Sequence, residues 1–156
     1  MSFSTTGLLQ TFADEFTTLS LNAGTSGTWT THFPFDGGGG SDRFLAVSHE
    51  AQIYVDPAYA GTGTTPLGLN PFAINNGVLS ITAAPTPPAL APLLYNQPYT
   101  SGLLTTNNTF AQQYGYFEMR AQLPAPCCFS VSSFQMIGVM KNSSCTTENS
   151  NGPMSR

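Results

Sequence analysis

The chain has 156 residues, 40% hydrophobic and only 8% charged, against roughly 25% charged in an ordinary globular domain, which excludes a coiled coil and charge-rich disorder. Four Lys plus Arg against eight Asp plus Glu give a net charge of -4. No basic footprint therefore exists for phosphate backbones or anionic lipid heads, and neither nucleic acid nor a membrane is an expected partner.

Fifteen Gly and twelve Pro cut the chain into short pieces with little 3.6-residue periodicity, which predicts an all-β class. Sandwiches of that class often run to roughly 200–250 residues, so this length suffices for a core but is short for a large sandwich. Residues 1–16 have no basic residue ahead of an apolar run, and no apolar stretch approaches the roughly 20 residues of a spanning helix; neither a secretory leader nor a membrane span is predicted. Residues 28–33 alternate Thr with aromatic side chains, and residues 52–56 set Gln52, Tyr54 and Asp56 on one face and Ile53 and Val55 on the other. Both read as half-buried strands. The four glycines of residues 37–40 lack the strand-to-helix context and following Lys of a phosphate loop, and predict a surface loop. Residues 72–74 and 78–83 flank Asn75, Asn76 and Gly77, an Asn-Gly that accepts the positive φ of a tight hairpin turn. The Pro-rich residues 84–92 read as an extended connection, residues 101–106 as another short strand, and residues 114–123 as the longest alternating run.

The character changes after Ala125. Residues 126–156 hold all three cysteines (Cys127, Cys128, Cys145), the only lysine (Lys141) and three of the five methionines. An adjacent cysteine pair plus one distant thiol fits neither zinc-ligand spacing nor an even disulfide framework, so the cysteines are read as incidental. Composition leaves two accounts of this segment open: a variable C-terminal loop region, or a shifted reading frame or misjoined exon.

As a strand, residues 114–123 point Tyr114, Tyr116, Glu118, Arg120 and Gln122 one way and Gly115, Phe117, Met119, Ala121 and Leu123 the other. Flat rings with a carboxylate, a guanidinium and an amide are the groups that grip a sugar, with its apolar CH faces and rim of hydroxyls. Glu50, Gln52 and Tyr54 make a second stripe of the same kind. The alternative is a solvated sheet face on which Glu118 and Arg120 form an ordinary ion pair of little energetic worth. Cleaving a glycosidic bond takes two carboxyl groups about 5–5.5 Å apart for retention or roughly 6.5–9.5 Å apart for inversion. Of the eight acids (Asp14, Glu15, Asp36, Asp42, Glu50, Asp56, Glu118, Glu148) no three alternate along one strand. Arg120 beside Glu118 also favours the ionised form, the wrong direction for a general acid. Sugar contact is better supported than sugar cleavage, and no catalytic residue is assigned. His32 and His49 lack metal or nucleophile context, so no metal or cofactor is expected. Trp29 reads as core packing ahead of a stacking platform. Asn107-Asn108-Thr109 and Asn142-Ser143-Ser144 match glycosylation acceptors, a pattern too short to decide anything.

Several stretches, in order, carry a family resemblance: Phe12-Ala13-Asp14-Glu15-Phe16, Gly27-Thr28-Trp29, Glu50-Ala51-Gln52-Ile53-Tyr54, Asn76-Gly77-Val78-Leu79-Ser80-Ile81-Thr82-Ala83 and Tyr99-Thr100-Ser101-Gly102-Leu103-Leu104. The most specific is Tyr114-Gly115-Tyr116-Phe117-Glu118-Met119-Arg120. Together they resemble the glycoside hydrolases of family 16, retaining endo-β-glucanases and galactanases built on a concanavalin A-like β-sandwich jelly roll and usually secreted. The resemblance implies an N-terminal portion of such a domain over residues 1–125, a divergent tail over 126–156, and a β-linked polysaccharide or oligosaccharide as partner. It places Glu118 and Arg120 in the substrate cleft, with Tyr114 and Tyr116 on their strand and Glu50 and Gln52 on a strand bordering it. Ser48 stands where the family often has Asn.

The family's Glu-x-Asp-x-x-Glu strand, which supplies nucleophile, assisting Asp and acid/base, occurs nowhere in the chain. A rate enhancement on the order of 10⁶-fold or more then has no residue to supply it, so the chain is expected to be inactive. An incomplete jelly roll also leaves open sheet edges through which copies would self-associate. Loss of family character at one point, with the compositional anomalies beyond it, favours the frameshift or splice account of the tail. Reading the encoding DNA beyond codon 125 in the other two frames is therefore expected to reveal a Glu-x-Asp-x-x-Glu strand; finding none makes the tail a natural divergence.

Overall fold

The computed structural model describes residues 4–35 and 38–122. The readings made for the boundary at 125, the tail, its cysteines and Asn142 lie outside these residues. Within them the chain is all-β, with short strands and two single 3-10 turns. The strands are β1 (Gln52–Tyr54), β2 (Phe72–Asn75), β3 (Val78–Ile81), β4 (Ala84–Pro85) and β5 (Tyr99–Ser101), and the turns span Ala46–Ser48 and Ala91–Leu94. No helix among the described residues is long and apolar enough to cross a membrane.

β1 keeps the predicted alternation from Gln52 to Val55, but the strand ends at Tyr54 and Asp56, read on the half-buried polar face, is buried because it pairs with Arg43. Ile53 is fully buried and Val55 nearly so, while Gln52 and Tyr54 on the other face are half-buried. With Phe44 and Leu94 these two side chains form the core, and Tyr59, Leu67, Leu69, Leu90 and Tyr95 pack around it. Fully burying side chains of this size contributes about 1.5–3 kcal/mol each. Leu94 arrives on the second 3-10 turn, which carries Pro92 as its second residue and ends at Tyr95 with φ of 53°. Pro at that position has its missing N–H where no partner would exist anyway.

β5 is the centre of a three-stranded sheet in the order β1-β5-β4. It runs parallel to β1, pairing Ile53 with Thr100, and antiparallel to β4, pairing Ala84 with Thr100. Pro85 is tolerated because β4 is an edge strand. β2 and β3 form a separate antiparallel hairpin closed by Asn75 opposite Val78. Asn76 and Gly77 between them both have positive φ, 51° and 72°, as a two-residue turn matched to strand twist requires. The hairpin docks through Phe72, which is buried. A Cβ on Gly102 would intrude on the Phe72 ring and on Ile81, so the hairpin sits directly on the backbone that follows β5.

Three expectations shift. Residues 28–33 are joined to neighbours by single bridges, Leu21 with Trp29 and Thr30 with Thr105, rather than by a strand ladder. The strand predicted over 101–106 lies earlier, at Tyr99–Ser101, because β1 and β4 provide backbone partners there. The connection over 84–92 contains β4 and opens into the second 3-10 turn.

Gly102 has no positive φ, so alanine fits its backbone and only space opposes it. Gly102→Ala is expected to lower stability by about 1–3 kcal/mol in urea unfolding, and Phe72→Leu in the same chain should recover part of that loss.

Candidate functional site

The Glu50–Tyr54 stripe folds as a partly polar face with an aromatic flank. Gln52 Nε2 donates to the Tyr54 hydroxyl at 3.0 Å, the contact that alternation along a strand makes available. Burial pushes the Tyr54 phenol above its ordinary value; the Gln52 hydrogen bond opposes this and the Glu50 charge adds to it. Glu50 Oε2 accepts the Leu45 N–H at 2.9 Å, so this carboxylate ties down the chain entering the first 3-10 turn. The Phe33 ring meets Tyr54 edge-on, with centroids 5.6 Å apart, and stacks on Phe35 at 5.2 Å with 9° between planes.

The second stripe has a different environment. Residues 114–122 carry no strand pairing, and their side chains are exposed on both faces, Tyr114 at 73%, Phe117 at 43% and Met119 at 53%. The expected division into a core face and a polar face is therefore corrected. A strand is stable only when a neighbouring backbone takes up its N–H and C=O groups, and no such ladder runs beside these residues in the described structure. The Tyr116 hydroxyl donates to Glu118 Oε2 at 3.1 Å, and that hydrogen bond raises the phenol's pKa. Glu118 and Arg120 are not within ion-pair distance of each other; the ion pairs among the described residues belong to Arg43.

Arg43 is the residue the sequence reading missed. Its Nη1 lies 2.6 Å from Asp56 Oδ2 and donates to the Thr31 carbonyl at 3.3 Å. Thr31 Oγ1 also donates to Asp56 Oδ2, at 2.6 Å, and the Ala58 N–H donates to Asp56 Oδ1 at 2.8 Å. Asp42 lies 3.5 Å from Nε, and the guanidinium carbon sits 4.3 Å over the Tyr59 ring, a cation–π placement. Both side chains of the central pair are largely buried, 11% exposed for Arg43 and 8% for Asp56. Burial alone would raise the Asp56 carboxyl, but the hydrogen bonds from Thr31 and Arg43 and the Arg43 charge outweigh it and hold the group below its ordinary value. Burial pushes Tyr59 up to about 12, aided by Tyr95 and opposed by the Arg43 cation. The signal available in the sequence was rarity: Arg43 is one of four cationic residues in the chain.

Of the remaining described acids, Asp14 is also engaged. Asp14 accepts the Trp29 indole N–H at 2.6 Å and the Phe16 N–H at 2.8 Å, while Phe12 and Phe16 pack on the indole, so Trp29 packs in an aromatic cluster but is half-buried and outside the core where it was read. Glu15 is exposed. Among the described residues no group of three or more His, Cys, Asp or Glu side chains is arranged to hold a metal. An open cleft of about 470 Å³ between residues 17–21 and β2 is lined by Thr, Leu, Pro, Asn, Phe, Ala and Ile. It has no acid or base and lies apart from both stripes.

Over 124 residues, 80% of its length, the chain is 47% identical to the endo-1,3-1,4-beta-glycanase ExsH of Rhizobium meliloti (strain 1021). It is 45% identical over 117 residues, 75% of its length, to the endo-1,3-1,4-beta-glycanase EglC of the same organism. The chain is a relative of glycanases. These matches cover 25% and 24% of the two proteins, so the chain spans about a quarter of the relatives it matches. No family model matches the chain, and no solved structure matches it.

Two outcomes follow from the Arg43–Asp56 pair. Asp56→Asn should cost about 3–5 kcal/mol because it leaves Arg43 buried without its counter-charge, and Arg43→Met with Asp56→Asn should cost less than the two single changes summed. The pH response has a fixed sign. The folded state holds the Asp56 proton less tightly than the unfolded chain, so this stabilisation is present above the unfolded value of roughly 3.9 and is lost as pH falls through the lower folded value. Thermal unfolding between pH 6 and pH 2 should show that acid-side loss in the parent and a shallower one in Asp56→Asn.

Proposed function

We propose that residues 1–125 are the N-terminal portion of a family 16 glycoside hydrolase unit on the plan of a concanavalin A-like jelly roll. In this reading the chain contacts a β-linked glycan without cleaving it. Glu118, Arg120, Tyr114 and Tyr116 provide one set of contacts and Glu50 and Gln52 the other. The observation that carries the reading is 47% identity, over 80% of the chain, to a protein named for acting as an endo-1,3-1,4-β-glycanase.

The chemistry of the contact residues fits that partner. Tyr116 and Glu118 already share a hydrogen bond and present a ring, a hydroxyl and a carboxylate oxygen together at the surface. Gln52 and Tyr54 present an amide and a phenol in the same way. Hydroxyl groups of a glycan both donate and accept, and these side chains between them do both.

Inactivity is supported by the carboxylates. A retaining mechanism needs one ionised and one protonated carboxyl group across the scissile bond. Asp14, Asp42, Glu50 and Asp56 are each committed to holding an indole, a guanidinium or a backbone N–H, and Asp56 is pushed towards ionisation rather than protonation. The Glu-x-Asp-x-x-Glu pattern is absent from the whole sequence. Self-association through open edges belongs to the same proposal, because β3 displays Val78 at 61% and Ile81 at 46% exposure.

Affinity electrophoresis through gels containing mixed-linkage β-glucan is expected to retard the chain, with retardation weakened severalfold in Glu118→Gln and in Arg120→Ala. Reducing-sugar assays on the same polymer are expected to show no turnover. Unretarded migration on every β-glucan overturns the binding claim, and turnover that disappears in Glu118→Gln overturns the claim of inactivity.

A further inference from the structure

The aromatic flank of the β1 face has a geometry that neither stripe of predicted contacts includes. Phe33 and Phe35 stack with 9° between their planes, and Phe35 is 44% exposed. Single exposed apolar side chains are ordinary on protein surfaces. This one differs in how firmly its support is built. Pro34 stands between the two rings and restricts the backbone that carries them. The Phe33 N–H donates to the Asp42 carbonyl at 2.8 Å, and the Tyr54 N–H donates to the next carbonyl, that of Arg43, at 2.9 Å. His32 Nδ1 lies 2.9 Å from the Phe33 carbonyl, a second hold on the same backbone. The rings are thus tied to a segment that the buried Arg43–Asp56 pair already fixes.

Beside this ring stack lies a polar pair. Tyr54 touches Phe33 edge-on, and its hydroxyl oxygen accepts from Gln52 Nε2, which leaves its own O–H to donate. That phenol is protonated at neutral pH, and burial raises it further above its ordinary value. A rigid apolar face with a donor and an amide at its side matches a ligand with a flat CH surface and a hydroxyl rim. It suits a purely apolar peptide poorly, because the polar pair would lose water without replacement.

We infer that Phe35, backed by Phe33, is a stacking platform for one pyranose ring of a β-linked glycan, with Gln52 and Tyr54 reading the hydroxyls beside it. This rests on the glycan-binding reading above and adds to it a contact residue outside both predicted stripes. Phe35 is a binding residue here and takes no part in bond cleavage.

The test is titration of the full chain with mixed-linkage β-glucan oligosaccharides, using four proteins: the parent, Phe35→Ala, Phe35→Trp and Leu9→Ala. Leu9 is an exposed apolar residue, at 86%, outside both stripes and the ring stack. Phe35→Ala is expected to weaken binding about tenfold, the size of one lost ring contact. Phe35→Trp is expected to keep parental affinity and to change its fluorescence on saturation. Leu9→Ala is expected to bind as the parent does. Parental affinity in Phe35→Ala, or an equal loss in Leu9→Ala, overturns the platform and leaves the glycan-binding reading standing. A parent chain that binds none of the oligosaccharides overturns that reading and the platform with it.

Discussion

A guanidinium and a carboxylate withdrawn from water together hold three stretches of this chain against one another. Arg43 supplies the cation, Asp56 the anion, and Thr31 bonds to both through its carbonyl and its hydroxyl. Either charge left alone in that position would cost several kcal/mol, whereas the satisfied pair comes close to breaking even against a hydrophobic replacement of the same size. Its value therefore lies more in position than in net stability. The carboxylate is directed by three donors, from Arg43, Thr31 and Ala58, and the Tyr59 ring covers the guanidinium from one side. Methyl groups of equal volume would fill the space without specifying which segment lies where.

That constraint explains why the β1 face is ordered although β1 itself is only three residues long. The hydrogen bond from the Tyr54 N–H to the Arg43 carbonyl extends the sheet by one rung on the side away from β5. The adjoining residue, Asp42, takes the Phe33 N–H in the same manner. Side chains carried by 33, 52 and 54 consequently sit over a rigid floor of Ile53 and Val55. The residues at 114–122 have no such floor, and their exposure on both faces is the direct result.

The legibility of the chain follows the range of the interactions involved. The Asn76-Gly77 turn and the alternation around Ile53 are local, set by backbone sterics and by period two, and both are found where the residues place them. The pairing of Glu50 with Leu45 and the Arg43–Asp56 contact join positions whose approach depends on intervening turns, so no short pattern announces them. Arg43 carried a clue in its scarcity, since a chain this poor in charge has few reasons to keep a cation unless something is built around it. Phe33 carried a weaker one: alternation over residues 28–33 predicted a strand, and Phe33 instead stacks on Phe35 across Pro34. For residues 114–122 alternation alone misled, because period two describes which side chains share a face only once a partner strand exists.

The parallel register of β1 with β5 has a kinetic meaning. Gln52 meets Tyr99 across a separation of 47 positions, whereas the β2–β3 hairpin closes over two residues. Loop-closure entropy must be met before such a distant pairing returns any free energy, and chains dominated by contacts of that range fold slowly. The hairpin therefore closes at little entropic cost, while its Phe72 ring rests on the backbone at Gly102, just past β5. Local closure and long-range pairing thus meet at one glycine, where a side chain would disturb both.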